Sequence, residues 1–93
     1  MSDRQLVSSG SPFERPIGFS RAVRVGSRVL VSGTGPVWPD SSCDPDPYIQ
    51  ASRCFRIALD ALAEAGGGAG DVVRTRMYVT DAAHWAEVGR AHG

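Results

Sequence analysis

At 93 residues and a formal net charge of zero, the chain has room for one small domain, and its ten basic residues form no run marking a nucleic-acid footprint or a polybasic membrane anchor. All ten are arginine, and the absence of lysine excludes a Schiff-base lysine, a phosphate-loop lysine and covalently held pyridoxal phosphate. A domain this short buries only roughly 60–65% of its unfolded surface, so a partner is one way to complete its core.

Residues 1–18 carry Ser, Gly and Pro without periodicity and read as a loosely ordered arm whose end Phe13, Ile17 and Phe19 would pin. The arm is polar and interrupted by Pro12 and Pro16, and no apolar run approaches bilayer length. Cys43 and Cys54 lie eleven apart without a CxxC, so the expectation is a soluble, cytoplasmic protein with two free thiols.

Two short β-rich runs, 21–25 and 28–32, flank Gly26-Ser27, and a two-residue loop with Gly first suits a type II′ hairpin turn. That turn sets Val25 opposite Arg28, Arg24 opposite Val29, Val23 opposite Leu30 and Ala22 opposite Val31, so both hairpin faces carry apolar side chains. Helices would cover one face; the other is covered either by a second subunit or by a central position in a monomer. A polar loop follows, with Pro39, Pro45 and three aspartates before Pro47. Its Trp38 either lines a pocket or packs down on the domain.

A helix over 48–65 is well marked, with Asp46 as N-cap, Pro47 at the first helical position and Gly66 as the stop. Ala51, Phe55, Ala58, Leu62 and Ala65 form its apolar stripe, with Leu59 beside them, and Arg56 with Asp60 makes an i,i+4 pair on the other side. The glycine run 66–70 precedes a strand and lacks the lysine of a phosphate loop, so it reads as a flexible turn. Residues 70–81 then read as a strand running into a helix start. Val73, Thr75, Met77 and Val79 share one face, and Val72, Arg74, Arg76, Tyr78 and Thr80 the other. Asp81 is placed to cap a second helix over 82–92, with Trp85, Val88 and His92 on one stripe. No Asp, Glu or Cys joins His84 and His92 at metal-ligand spacing, and Ser32 lacks the preceding glycine of a nucleophile elbow.

Three blocks together resemble the RidA/YjgF family: residues 19–26, residues 29–34, and above all Gly70-Asp71-Val72-Val73-Arg74-Thr75-Arg76-Met77-Tyr78-Val79-Thr80-Asp81. The resemblance runs from about Phe19 to Gly93. It implies an α+β, chorismate-mutase-like sheet with two helices packed on one face, assembled as a homotrimer with active sites between subunits. It also implies hydrolysis of reactive imines and enamines, such as 2-aminoacrylate, to 2-keto acids and ammonia, without metal or organic cofactor and without nucleic acid or membrane as partner. Carried onto this chain, the substrate-binding positions are Phe19, as an apolar wall, and Ser32-Gly33-Thr34, whose backbone lines the cleft.

The chain departs from that pattern in three places. Phe19 keeps the ring but lacks the hydroxyl of the tyrosine many members have, and Gly89 stands where an asparagine contributes to the pocket in the best-known branch. The family's carboxylate-binding arginine and water-orienting glutamate belong to two strands after the second helix, beyond Gly93. The expectation is therefore a domain 19–93 that is C-terminally truncated and impaired in hydrolysis. Arg74 or Arg76 would be the remaining candidates to replace the arginine, although a strand-face arginine is more often solvated or packed. A non-catalytic ligand-binding or assembly module is the alternative reading, and ribonuclease activity, attributed to some relatives, is the weaker one, against which zero net charge and dispersed arginines argue.

Overall fold

The computed structural model describes residues 4–38 and 40–93; the first three residues of the expected arm, and Pro39 of the expected loop, lie outside them. Its sheet has the order β1 (Arg4–Val7), β2 (Ala22–Val25), β3 (Arg28–Val31), all antiparallel. The β2–β3 register is the one the two-residue turn dictates, from Ala22 opposite Val31 to Val25 opposite Arg28. Gly26 supplies the positive φ, 59°, that the first turn position requires and that a side chain would resist.

The arm is more ordered than its composition implies. Arg4–Val7 pairs with β2, Leu6 opposite Val23 and Val7 opposite Ala22, and a single helical turn, α1 (Glu14–Ile17), follows it. Polar bonds hold this segment: the Glu14 carboxylate accepts from the Ser9 amide at 2.7 Å, from the Ser8 hydroxyl at 3.3 Å and from the Ser9 hydroxyl. Phe13 and Ile17, expected to pin the arm, stay exposed. An apolar side chain needs a groove to enter, and α1 presents these two to solvent instead.

Helix α2 (Pro47–Glu64) begins where the cap residues place it: the Asp46 side chain accepts from the amides of Tyr48 at 2.8 Å and Ile49 at 3.4 Å. It ends at Ala65, after which Gly66 turns the chain at φ 96°. Antiparallel partners point the same way, so Gln5, Val7, Ala22, Arg24, Val29 and Val31 share the face that α2 covers. There Val7, Ala22, Ala61 and Ala65 form the buried core, with Val29 packed against it. Polar ties seal the contact: Gln5 donates to the Glu64 carbonyl at 3.1 Å and Arg24 to the Ala65 carbonyl at 2.6 Å. The opposite face, with Leu6 64% and Leu30 56% exposed, has no cover among the described residues, so the hairpin is not covered on both faces within this chain.

The expected strand over 70–81 is not a strand here. Asp71 closes a 3-10 turn (Ala69–Asp71), and residues 72–79 join no ladder among the described residues; Val73 is 98% exposed. Alternation makes a segment suited to a sheet, but a strand exists only through hydrogen bonds to a neighbour, and β1, β2 and β3 offer it none. Its end is as expected. Asp81 accepts from the Ala83 amide at 2.9 Å and caps a 3-10 turn (Ala82–His84) that leads into α3 (Trp85–His92). Helix α3 packs on α2, the His92 ring meeting Phe55 edge-on at 5.5 Å and Arg90 lying 4.3 Å over the Tyr48 ring. His92 Nε2 also lies 3.1 Å from Thr75 Oγ1, tying the extended segment to α3.

With so much apolar surface uncovered, the radius of gyration is 14.0 Å, against about 12 Å expected for a closed domain of this length.

Candidate functional site

The site is built where α1 meets the open face of the sheet. Gly18, at φ 83°, ends α1 in the left-handed region, and the amides of Gly18 and Phe19 both return to the Glu14 carbonyl, at 2.9 and 3.1 Å. That reversal brings Phe19 and Ser20 beside the end of β3. A cleft of about 570 Å³ results, with Leu6 and Val23 from adjacent strands, Phe19, Ser20 and Ser32 among its lining residues. Arg4 and Arg15 line it too, beside these apolar and hydroxyl-bearing residues. Glu14 also borders it, but its carboxylate is engaged with Ser8 and Ser9, and those donors, the Ser9 hydroxyl foremost, hold its pKa below the usual glutamate value.

The segment after β3 is fixed by a compact network. Ser32 donates through its hydroxyl to the Ser20 carbonyl at 2.6 Å and through its amide to the Arg21 carbonyl at 2.9 Å. Arg21 Nη1 donates to the Gly33 carbonyl at 2.6 Å and to Thr34 Oγ1 at 3.1 Å, while the Thr34 hydroxyl donates to the Ser32 carbonyl at 2.9 Å. These bonds fix the backbone of residues 32–34 in one conformation beside the cleft.

Of the four residues singled out by resemblance, the structure brings Phe19 and Ser32 into one cleft; Gly33 and Thr34 do not line it but brace Ser32 through Arg21. Arg74 and Arg76 are exposed on the extended segment and line neither this cleft nor the next, so the structure does not offer them as carboxylate ligands. Arg4 and Arg15, which line the cleft, are not singled out by the sequence pattern. They sit in a segment without periodicity, and only the pairing of β1 and the turn of α1 reveal that they converge. A second cleft of about 400 Å³ lies between β1 and α2, with Arg21, Arg53, Asp60 and Glu64 in its lining, and holds none of the four residues. Trp38 lines neither cleft: its ring lies 4.0 Å beneath the Arg53 guanidinium, so it packs on the domain. Among the described residues no group of three His, Cys, Asp or Glu comes together to hold a metal, and no helix is long and apolar enough to cross a membrane.

Comparison with known proteins agrees with this fold. A family model described as Endoribonuclease L-PSP matches residues 13–93. An uncharacterized protein of Streptomyces coelicolor, SCO2049, is 44% identical over 87 residues, covering 92% of this chain and 65% of its own length. The RutC family protein PYRAB12510 of Pyrococcus abyssi is 30% identical over 81 residues, covering 84% of this chain and 64% of its own. The chain thus spans just under two thirds of the curated relatives it matches. The crystal structure of Rv2704 from Mycobacterium tuberculosis, a member of the YjgF/YER057c/UK114 family, superposes with a TM-score of 0.85 at 46% identity, over 97% of this chain and 71% of that one. A family model matching residues 13–93, together with a superposition at TM-score 0.85 and 46% identity over 97% of the chain, leaves one assignment: the protein belongs to the YjgF/RidA family, within the α+β class.

Proposed function

We propose that this chain contributes the apolar half of a RidA-type site that hydrolyses small 2-imino and enamine acids to 2-keto acids and ammonia. The observation that carries the reading is the cleft on the uncovered sheet face, which joins Phe19, Leu6 and Val23 to Ser20 and Ser32 in one space. An imine carbon is already electrophilic, so a protein need only hold the carboxylate, exclude competing geometry and admit a water; addition of water and loss of ammonia then give the keto acid. The cleft opens on the face left bare by α2, and a homotrimer that closes it from a neighbouring subunit suits that position. Residues 1–93 do not include the arginine and glutamate that the family carries after its second helix, so hydrolysis by this chain alone is expected to be impaired.

The test is keto-acid release from enzymatically generated 2-aminoacrylate, with oligomeric state followed by sedimentation equilibrium. The chain alone is expected to leave the spontaneous rate unchanged. Fused to the C-terminal third of the Streptomyces coelicolor relative, it is expected to sediment as a trimer and accelerate release, and Phe19→Ala in that fusion to raise KM. A trimeric fusion that binds substrate analogues without accelerating release would favour a non-catalytic binding module. RNA cleavage, with affinity falling steeply as salt rises, would favour the nuclease reading instead.

A further inference from the structure

We propose that Cys43 and Cys54 form an intramolecular dithiol–disulfide site, oxidised by small hydroperoxides, that staples the loop after β3 to helix α2. Neither cysteine is in a disulfide in this structure; Cys43 is exposed, its thiol donating to the Asp44 carbonyl at 3.7 Å, and Cys54 is half-buried on α2. The loop is laid against the helix at two points that bracket Cys43. On one side the Trp38 ring lies under Arg53, the residue before Cys54, and Trp38 is folded back onto the residue before Cys43 by its amide bond to the Ser42 carbonyl at 2.9 Å. On the other, the Asp44 carbonyl accepts from the Gln50 side chain at 2.6 Å, and Gln50 stands one helical turn before Cys54 on the same face. Cys43 is therefore held over the turn of α2 that carries Cys54. Burial raises the Cys54 pKa, and the charge of the neighbouring Cys43 raises it further.

The electrons balance with the peroxide as oxidant. The exposed Cys43 thiolate attacks the terminal peroxide oxygen, the O–O bond breaks, and the leaving hydroxide of hydrogen peroxide, or alkoxide of an organic hydroperoxide, takes a proton to become water or alcohol, leaving a sulfenic acid. The Cys54 thiolate then attacks that sulfur; the S–S bond forms, and the hydroxyl leaves with a proton as water. Two thiols lose two electrons and one peroxide gains them. Because the loop begins at Ser32, which lines the cleft, the staple also ties one lining residue of the site to the helix.

The experiment uses the chain itself, treated with dilute hydrogen peroxide and digested with trypsin without reduction. Cleavage after Arg28, Arg53 and Arg56 separates the two cysteines, with Cys43 on residues 29–53 and Cys54 on residues 54–56. The expected result is a disulfide-linked pair of those peptides from monomeric protein, with both thiols lost to alkylation together and recovered by dithiothreitol. Cys43→Ser, at an exposed position, is expected to leave Cys54 alkylatable at the same peroxide dose. Stepwise oxidation of Cys43 to the sulfinic acid with Cys54 still reduced would overturn the proposal, as would links found only between chains.

Discussion

Replacing Arg24 with methionine tests whether the sheet is held to α2 by this guanidinium. Arg24 projects from β2 toward the helix, where Nη1 donates to the Ala65 carbonyl at 2.6 Å and Nε to the Gly26 carbonyl at 2.9 Å. Ala65 is 1% exposed and closes the C-terminal end of α2, so the cation also meets the negative end of the helix dipole. Methionine keeps the aliphatic stem and removes the charge. A hydrogen bond to a charged group is worth about 1.5–3 kcal/mol, and the dipole adds about 0.3–1 kcal/mol; partial solvent exposure places the sum near 2 kcal/mol. With a urea slope of roughly 1–1.5 kcal/mol per molar, the unfolding midpoint followed by far-UV circular dichroism should fall by about 1.5 M. Gly66 supplies a second arm, because a Cβ there would lie 2.6 Å from Arg24 Nη1. Gly66→Ala should therefore cost more in the wild type than in the Arg24→Met background, while the strain of φ 96° persists in both. Arg28→Met, exposed on the other face, is the control. An unchanged midpoint in Arg24→Met, or an equal penalty for Gly66→Ala in both backgrounds, would refute the reasoning.

Removal of the α2 cap by Asp46→Ala should cost about 1 kcal/mol, read as a fall of roughly 4–8 °C in Tm; a Tm within error of wild type would show that the bonds to Tyr48 and Ile49 contribute nothing. Glu14 titrates below the usual glutamate value on folding because Ser9 and Ser8 donate to its ionised form, so the turn they close is held at neutral pH and released as pH falls through that lowered value. The Ser9 amide resonance should follow this titration, and Glu14→Gln should abolish it; a midpoint at or above the ordinary glutamate range would contradict the geometry. Leu30→Glu, on the uncovered sheet face, should leave helix content unchanged in the fusion to the C-terminal third of the Streptomyces coelicolor relative yet dissociate its expected homotrimer on sedimentation, whereas an intact trimer would place the subunit interface elsewhere.

Much of this protein was legible without coordinates because the signals are local. A glycine-led two-residue turn leaves one register for β2 and β3, and Asp46, Pro47 and Gly66 mark both ends of α2 within a residue, since caps and turns are settled by neighbours a few positions away. The motif blocks were equally local, and the family and its α+β class followed from them. Tertiary structure decided what depends on distant partners. Arg4–Val7 is too short for alternation to announce and is a strand only because β2 supplies its hydrogen bonds; residues 72–79 alternate well and have no such supplier among the described residues. Which hairpin face is covered turned on where α2 lies, and the meeting of Arg4, Arg15, Phe19 and Ser32 turned on a single left-handed glycine. Sequence spacing encodes the angle at which side chains leave one element; it does not encode which other element waits there, and both the cleft and the uncovered sheet face are products of that second fact.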